Sequence, residues 1–133
     1  MKIIVCIKQV PAKDAPLSIT GNWIRESDIG FEMNEPDSFA LEEALRLKEK
    51  HGGEVIALSM GPERVKQTIK EALAKGADRG IHIADDQFAQ LDPLGSASAL
   101  AAVASEAKGW LNTVTSTRSD SFGQSATSRA MLK

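Results

Sequence analysis

Apolar residues follow two rhythms along this chain. Residues 3–7, IIVCI, are apolar at consecutive positions, as in a strand buried on both faces of a parallel sheet; the strand is expected from Lys2 to Val10, ending where Pro11 removes a ladder donor. In residues 17–27, LSITGNWIRES, a Gly-Asn pair separates two half-apolar runs and suggests an irregular hairpin. From Asn34 the period becomes helical. Asn34 stands as a cap, Pro36 lies in the first turn, and acids come early and bases late. Ala40, Leu41, Ala44, Leu45 and Leu47 share one face, and Gly52 stops the helix.

The alternation then repeats. EVIALSM, residues 54–60, reads as a second buried strand. The helix after it opens at Pro62, carries Val65, Ile69, Ala72 and Leu73 on one face, and closes at Gly76. RGIHIA, residues 79–84, is a third strand. An Ala-rich helix runs from Asp92-Pro93 to Gly109, GWLNTVTST offers a fourth strand, and SATSRAMLK at the end is weakly helical. Strands alternating with helices predict right-handed βαβ units, hence an α/β fold with a mainly parallel sheet between helices on both faces. If the strands take the common order 3-2-1-4, the ligand crevice lies between the first strand and the loop after the fourth.

With 133 residues, 42% of them hydrophobic, the chain is expected to form a single domain over residues 1–133. The single cysteine, Cys6, excludes an internal disulfide and a cysteine-based metal cluster. It is compatible with a reducing, cytoplasmic setting, and in a buried strand it behaves as a small hydrophobe. The N-terminal apolar run is too short for a signal peptide, and no stretch approaches a membrane span. A net charge of -2 with interspersed signs leaves no basic footprint for nucleic acid.

Motifs for covalent chemistry are missing: there is no Gly-x-Gly-x-x-Gly after a strand, no Gly-Lys-Ser/Thr phosphate loop and no His-Glu-x-x-His. His51 in a helix's last turn complements the dipole, and His82 between Ile81 and Ile83 reads as a structural or surface side chain. Asp85 and Asp86 read as a solvated turn more readily than a cation site. The polar segment from Ser116 to Ser125 is the remaining candidate. Ser119, Asp120, Ser121 and Ser125 surround Phe122-Gly123-Gln124 ahead of the expected last helix. Their hydroxyls and free N–H groups suit either simple capping or a phosphate.

Four stretches together resemble the electron transfer flavoprotein beta subunit family: MKIIVCIKQVP at the start, MNEPDSFALEEALRLKE from Met33, EVIALSMGPE from Glu54 and ALAKGADRGIHI from Ala72. They stand in that family's order and spacing. The resemblance implies a Rossmann-like, adenine-nucleotide-binding, three-layer α/β/α domain. It further implies AMP as ligand, or a second FAD in bifurcating members, with a redox-active FAD shared with an alpha subunit in a heterodimer. Dehydrogenases would serve as electron donors. Beta side chains perform no catalysis in that family, so a carrier subunit is expected, not an enzyme.

Transferred by position, the nucleotide contacts are Cys6, Asn34, Glu35, Pro36, Asp37, Met60, Ser116, Ser119, Asp120, Ser121, Phe122, Gly123, Gln124 and Ser125. The last loop departs from the family pattern: Ser116 stands for a Gln, Ser121 for an Asp and Ser125-Ala126 for Thr-Gly, and the strand before it is polar. Family members also continue well beyond this length, so the resemblance implies a truncated beta-type domain. The alternatives are a stand-alone regulatory nucleotide-binding module of the same fold and a non-functional fragment. An enzyme acting on a nucleotide ranks below these.

Overall fold

The computed structural model describes residues 1–84 and 91–106, with Trp23 described by its backbone, and the backbone of residues 113–119 and 125–132. Nine strands and three α-helices are present among them: β1 (Lys2–Cys6), β2 (Gln9–Pro11), β3 (Ile19–Thr20), β4 (Trp23–Ile24), β5 (Phe31–Met33), α1 (Glu35–His51), β6 (Glu54–Met60), α2 (Lys66–Ala74), β7 (Arg79–Ile83), α3 (Pro93–Glu106), β8 (Thr113–Ser119) and β9 (Ser125–Leu132). The five-stranded main sheet has the order β1-β6-β7-β9-β8. β1, β6 and β7 run parallel, while β9 is antiparallel to both β7 and β8.

The α/β alternation read from the periodicity is present, and its core follows from the two-residue period of β6. Val55 and Ala57 point to one face with Val5, Ile7, Leu41, Ala44 and Ala72, beneath α1 and α2. Ile56 and Leu58 point to the other with Ile81, Ile83 and Val103, beneath α3. All four β6 residues are fully buried, which is why this strand reads as continuously apolar. At ~1.5–3 kcal/mol for each large aliphatic side chain buried, the two faces of β6 and β7 hold the layers together.

Local signals placed the helices. α1 starts just after Asn34, carries Pro36 in its first turn and ends at Gly52, whose φ of 70° favours glycine. α3 is capped as expected: Asp92 Oδ1 accepts the Gly95 N–H at 2.7 Å. The stretch around Gly21-Asn22 forms the expected hairpin, with β3 paired to β4.

Several expectations are corrected. The fourth strand is not beside the first, since β8 lies at the far edge and β9 fills the place next to β7, so the order 3-2-1-4 holds only for its first three members. SATSRAML, the described part of the expected last helix, is not helical. Residues 125–132 form β9 and make seven residue pairs with β8, which give its backbone ladder partners that an isolated short helix would not secure. The first strand stops at Cys6, and residues 9–11 leave the main sheet to pair with β5. Among the described residues β1 lies at the edge of the sheet; only Val5 in it is buried, so it is not buried on both faces, and Cys6 is exposed. Ala40 and Leu47 of α1 and Leu73 of α2 are also less buried than their helical faces implied. The helix expected from Pro62 begins with a 3₁₀ turn, Glu63–Val65, before α2 proper.

Candidate functional site

The carboxyl ends of β1 and β6 meet the first turn of α1, and the junction is built from backbone groups. Ile7 donates its N–H to Leu58 O at 2.8 Å and accepts the Ser59 hydroxyl on its own carbonyl at 2.5 Å. Lys8 donates its N–H to Asp37 Oδ2 at 2.9 Å and accepts the Asn34 N–H on its carbonyl at 3.0 Å. The four polar backbone groups of Ile7-Lys8 are therefore all engaged, two by β6 and two by the start of α1. Lys8 thus turns to α1 at the point where the chain leaves the main sheet.

Cys6, Asn34, Glu35, Pro36, Asp37 and Met60 all belong to this carboxyl edge, so the structure brings together these six sequence-derived candidates. Asn34 caps without a side-chain bond; its carbonyl accepts the N–H of Asp37 at 3.0 Å and of Ser38 at 3.1 Å. Glu35 pairs with Lys13 at 2.8 Å across the loop that follows β2. That hydrogen bond, and then the lysine's charge, hold the Glu35 carboxyl below the usual carboxylate range. At Cys6, loss of hydration around the sulfur pushes the thiol's pKa up, and the nearby Asp37 carboxylate adds to the shift. The residue as a whole is exposed.

The other half of the expected site lies elsewhere. Ser116 and Ser119 are on β8 and Ser125 opens β9. At about 4.8 Å per strand spacing, β8 is four steps, roughly 19 Å, from β1 along the sheet. The register His82↔Met131 carries the Ser119↔Ser125 end of this hairpin beyond the carboxyl edge of β7, so it rises on the same edge as Cys6 and Met60 but on the opposite flank. Asp120, Ser121, Phe122, Gly123 and Gln124 lie outside the described residues, as do Asp85 and Asp86.

The sequence analysis gave His82 a structural or surface reading without a partner and did not single out Ser59, yet both fix the edge. His82 is buried at 8% exposure, and its Nε2–H donates to the Gly61 carbonyl at 2.8 Å, while Gly61 N–H donates to Ile83 O at 3.0 Å. The turn after Met60 is thereby tied to β7. Ser59 does the same between β6 and β1. Neither role carries a local signal, because the partners stand 21 and 52 residues away. No group of three or more His, Cys, Asp or Glu side chains that could hold a metal is present among the described residues, and no described helix is long and apolar enough to cross a membrane.

An adenine nucleotide suits this edge in part. The first turn of α1 offers few free donors, because Pro36 has no N–H and Asp37 and Ser38 donate to Asn34, and it carries two carboxylates. Such a turn fits an uncharged adenosine moiety better than a phosphate.

Residues 22–127 match the family model described as electron transfer flavoprotein domain. The chain is 42% identical over 101 residues to Protein FixA of Sinorhizobium fredii, a match covering 75% of this chain and 35% of that protein. It is 40% identical over 103 residues to the electron transfer flavoprotein subunit beta of Dictyostelium discoideum, and 41% over 104 residues to that of Clostridium acetobutylicum. These matches cover 75% and 77% of this chain and 40% of each relative. The chain thus spans between a third and a half of the length of these curated relatives.

Proposed function

This chain belongs to the electron transfer flavoprotein family, and from that premise we propose that residues 1–133 form one α/β unit of beta-subunit type that binds an adenine nucleotide, AMP or FAD, and works with an alpha subunit in carrying electrons from dehydrogenases. The observation that carries the reading is the convergence of Cys6, residues 34–37 and Met60 on one sheet edge in a chain whose relatives are named as electron transfer proteins. In this reading Cys6, residues 34–36 and Met60 hold the adenosine portion, Asp37 supports that turn from behind, and the segment from Ser116 to Ser125 receives the phosphates. From Met60 on β6 to β9 is two strand steps, roughly 10 Å laterally, and Ser125 stands further out along β9, beyond the carboxyl edge.

Bound FAD supplies the redox chemistry. The chain's own residues bind and orient the nucleotide and have no catalytic role, and its setting is the cytoplasm. Calorimetric titration of the chain with AMP, ADP and FAD tests the reading. Saturable heat with at least one of them is expected, and no heat at ligand concentrations of roughly 1 mM, where binding energies near 4 kcal/mol are still visible, overturns it. Co-purification with an electron transfer flavoprotein alpha subunit tests the partnership; a chain that self-associates and ignores that subunit is instead a stand-alone nucleotide-binding module.

A further inference from the structure

Lys8 is held by a reciprocal exchange that differs from an ordinary capping box. An acid at the third helical position normally reaches back to the N–H of the capping residue. Here the capping residue, Asn34, donates that N–H to Lys8 O at 3.0 Å, and the third-position acid, Asp37, extends past it to accept the Lys8 N–H at 2.9 Å. The helix start and the outgoing chain are stitched by two antiparallel bonds, of which only one depends on a side chain. Asp37 also lies in the first turn of a 17-residue helix, where its charge complements the dipole, so it is anchored at both ends of the contact.

We propose that Asp37 is a positioning residue: through the Lys8 N–H it fixes the backbone at the carboxyl end of β1 against α1, and it sets the affinity of the nucleotide edge without itself touching the nucleotide. This rests on the reading of function above. The carboxylate is committed to the protein backbone, which gives it a role other than the ligand contact implied by family resemblance. With Ile7 held by β6 and Ser59, the Lys8 N–H bond to Asp37 is a side-chain link between the chain leaving β1, just past Cys6, and the helix start.

The experiment uses the full chain with three readouts: amide hydrogen exchange at Lys8 without ligand, AMP affinity by calorimetry, and thermal midpoint. Asp37→Ala is expected to speed Lys8 exchange and weaken AMP binding, each about three- to tenfold, the scale of one exposed hydrogen bond to a charged group, reduced by solvent screening. Asp37→Asn, which keeps a carbonyl oxygen for the Lys8 N–H, is expected to restore both. Weakened AMP binding in Asp37→Ala with Lys8 exchange unchanged overturns the proposal in favour of direct contact. Faster exchange with AMP affinity unchanged overturns it too, since the clamp then does not shape the site. If the wild-type chain binds no AMP, the ligand half of the proposal falls with the reading of function, and the Lys8 exchange rates, read without ligand, decide the clamp separately.

Discussion

Arg64 joins three distant stretches of the chain, at Gln9, Glu26 and Phe31. Its Nε and Nη2 donate to the two carboxylate oxygens of Glu26 at 3.1 and 3.2 Å, its Nη1 donates to Gln9 Oε1 at 2.7 Å, and its guanidinium carbon lies 4.0 Å from the Phe31 ring centroid. Gln9 Nε2 returns a bond to the Arg64 carbonyl at 3.3 Å. The 3₁₀ turn after β6 is thereby fastened to the excursion between β2 and β5. A lysine cannot reproduce the planar fork or the stacking, so Arg64→Lys is expected to cost about 1–2 kcal/mol, nearly as much as Arg64→Ala, with the pair's partial exposure already discounted. Denaturant unfolding curves for the two variants check this. Cys6 permits a second test. Its raised pKa keeps the thiol protonated at neutral pH, so iodoacetamide should alkylate it more slowly than free cysteine, with a midpoint at higher pH. Asp37→Asn should move that midpoint down part of the way, because desolvation, the larger cause, remains. A pH–rate profile measured by mass spectrometry reads both.

The helix α2 crosses β7 in close contact at Gly80. Gly80 pairs with Ala57 on the face beneath that helix, and a Cβ built on Gly80 would collide with Ile69 Cγ2 and come within 3.8 Å of Leu73 Cδ1. The backbone approach, not turn geometry, is what demands glycine here. Gly80→Ala is expected to destabilise the chain by about 1–3 kcal/mol through overpacking. Ile69→Ala alone leaves a void. The double variant Gly80→Ala/Ile69→Ala should lose less than the sum of the two single changes, and a double-mutant cycle from thermal unfolding measures that coupling. Strictly additive losses would show that α2 moves away from the sheet to make room.

Across the whole molecule, Asp78 at the amino edge of the sheet ties two elements, α1 and β6, to the start of a third, β7. It accepts Lys48 Nζ from α1 at 2.6 Å and the Val55 N–H of β6 at 2.8 Å, directly before β7 begins. The lysine's hydrogen bond, followed by the backbone N–H, holds the carboxyl below the usual aspartate range. A depressed folded-state pKa contributes stability above the unfolded-state value and loses it as pH falls through the folded one, so this contribution is complete at neutral pH and fades below roughly pH 4. Asp78→Asn should therefore lower the thermal midpoint at neutral pH and differ less from wild type as acid is added. Melting curves from pH 7 down to about pH 3 check the sign.

The sequence alone determined α1, α2, α3 and the buried strands β6 and β7. A 3.6-residue period with Pro36 and Gly52 at its ends, or an unbroken apolar run such as residues 54–60, is local information that burial and capping translate directly into an element. It also carried the family resemblance, and with it the six residues that gather at the carboxyl edge. Tertiary structure decided which strand lies beside which, and everything that depends on it: that Cys6 is on an exposed edge, that residues 125–132 pair as a strand and not a helix, and that His82, Ser59 and Arg64 fasten distant loops. The physical reason is that backbone pairing and hydrogen-bond satisfaction are nonlocal. A residue's pattern states that it must be buried or bonded, and the fold supplies the partner.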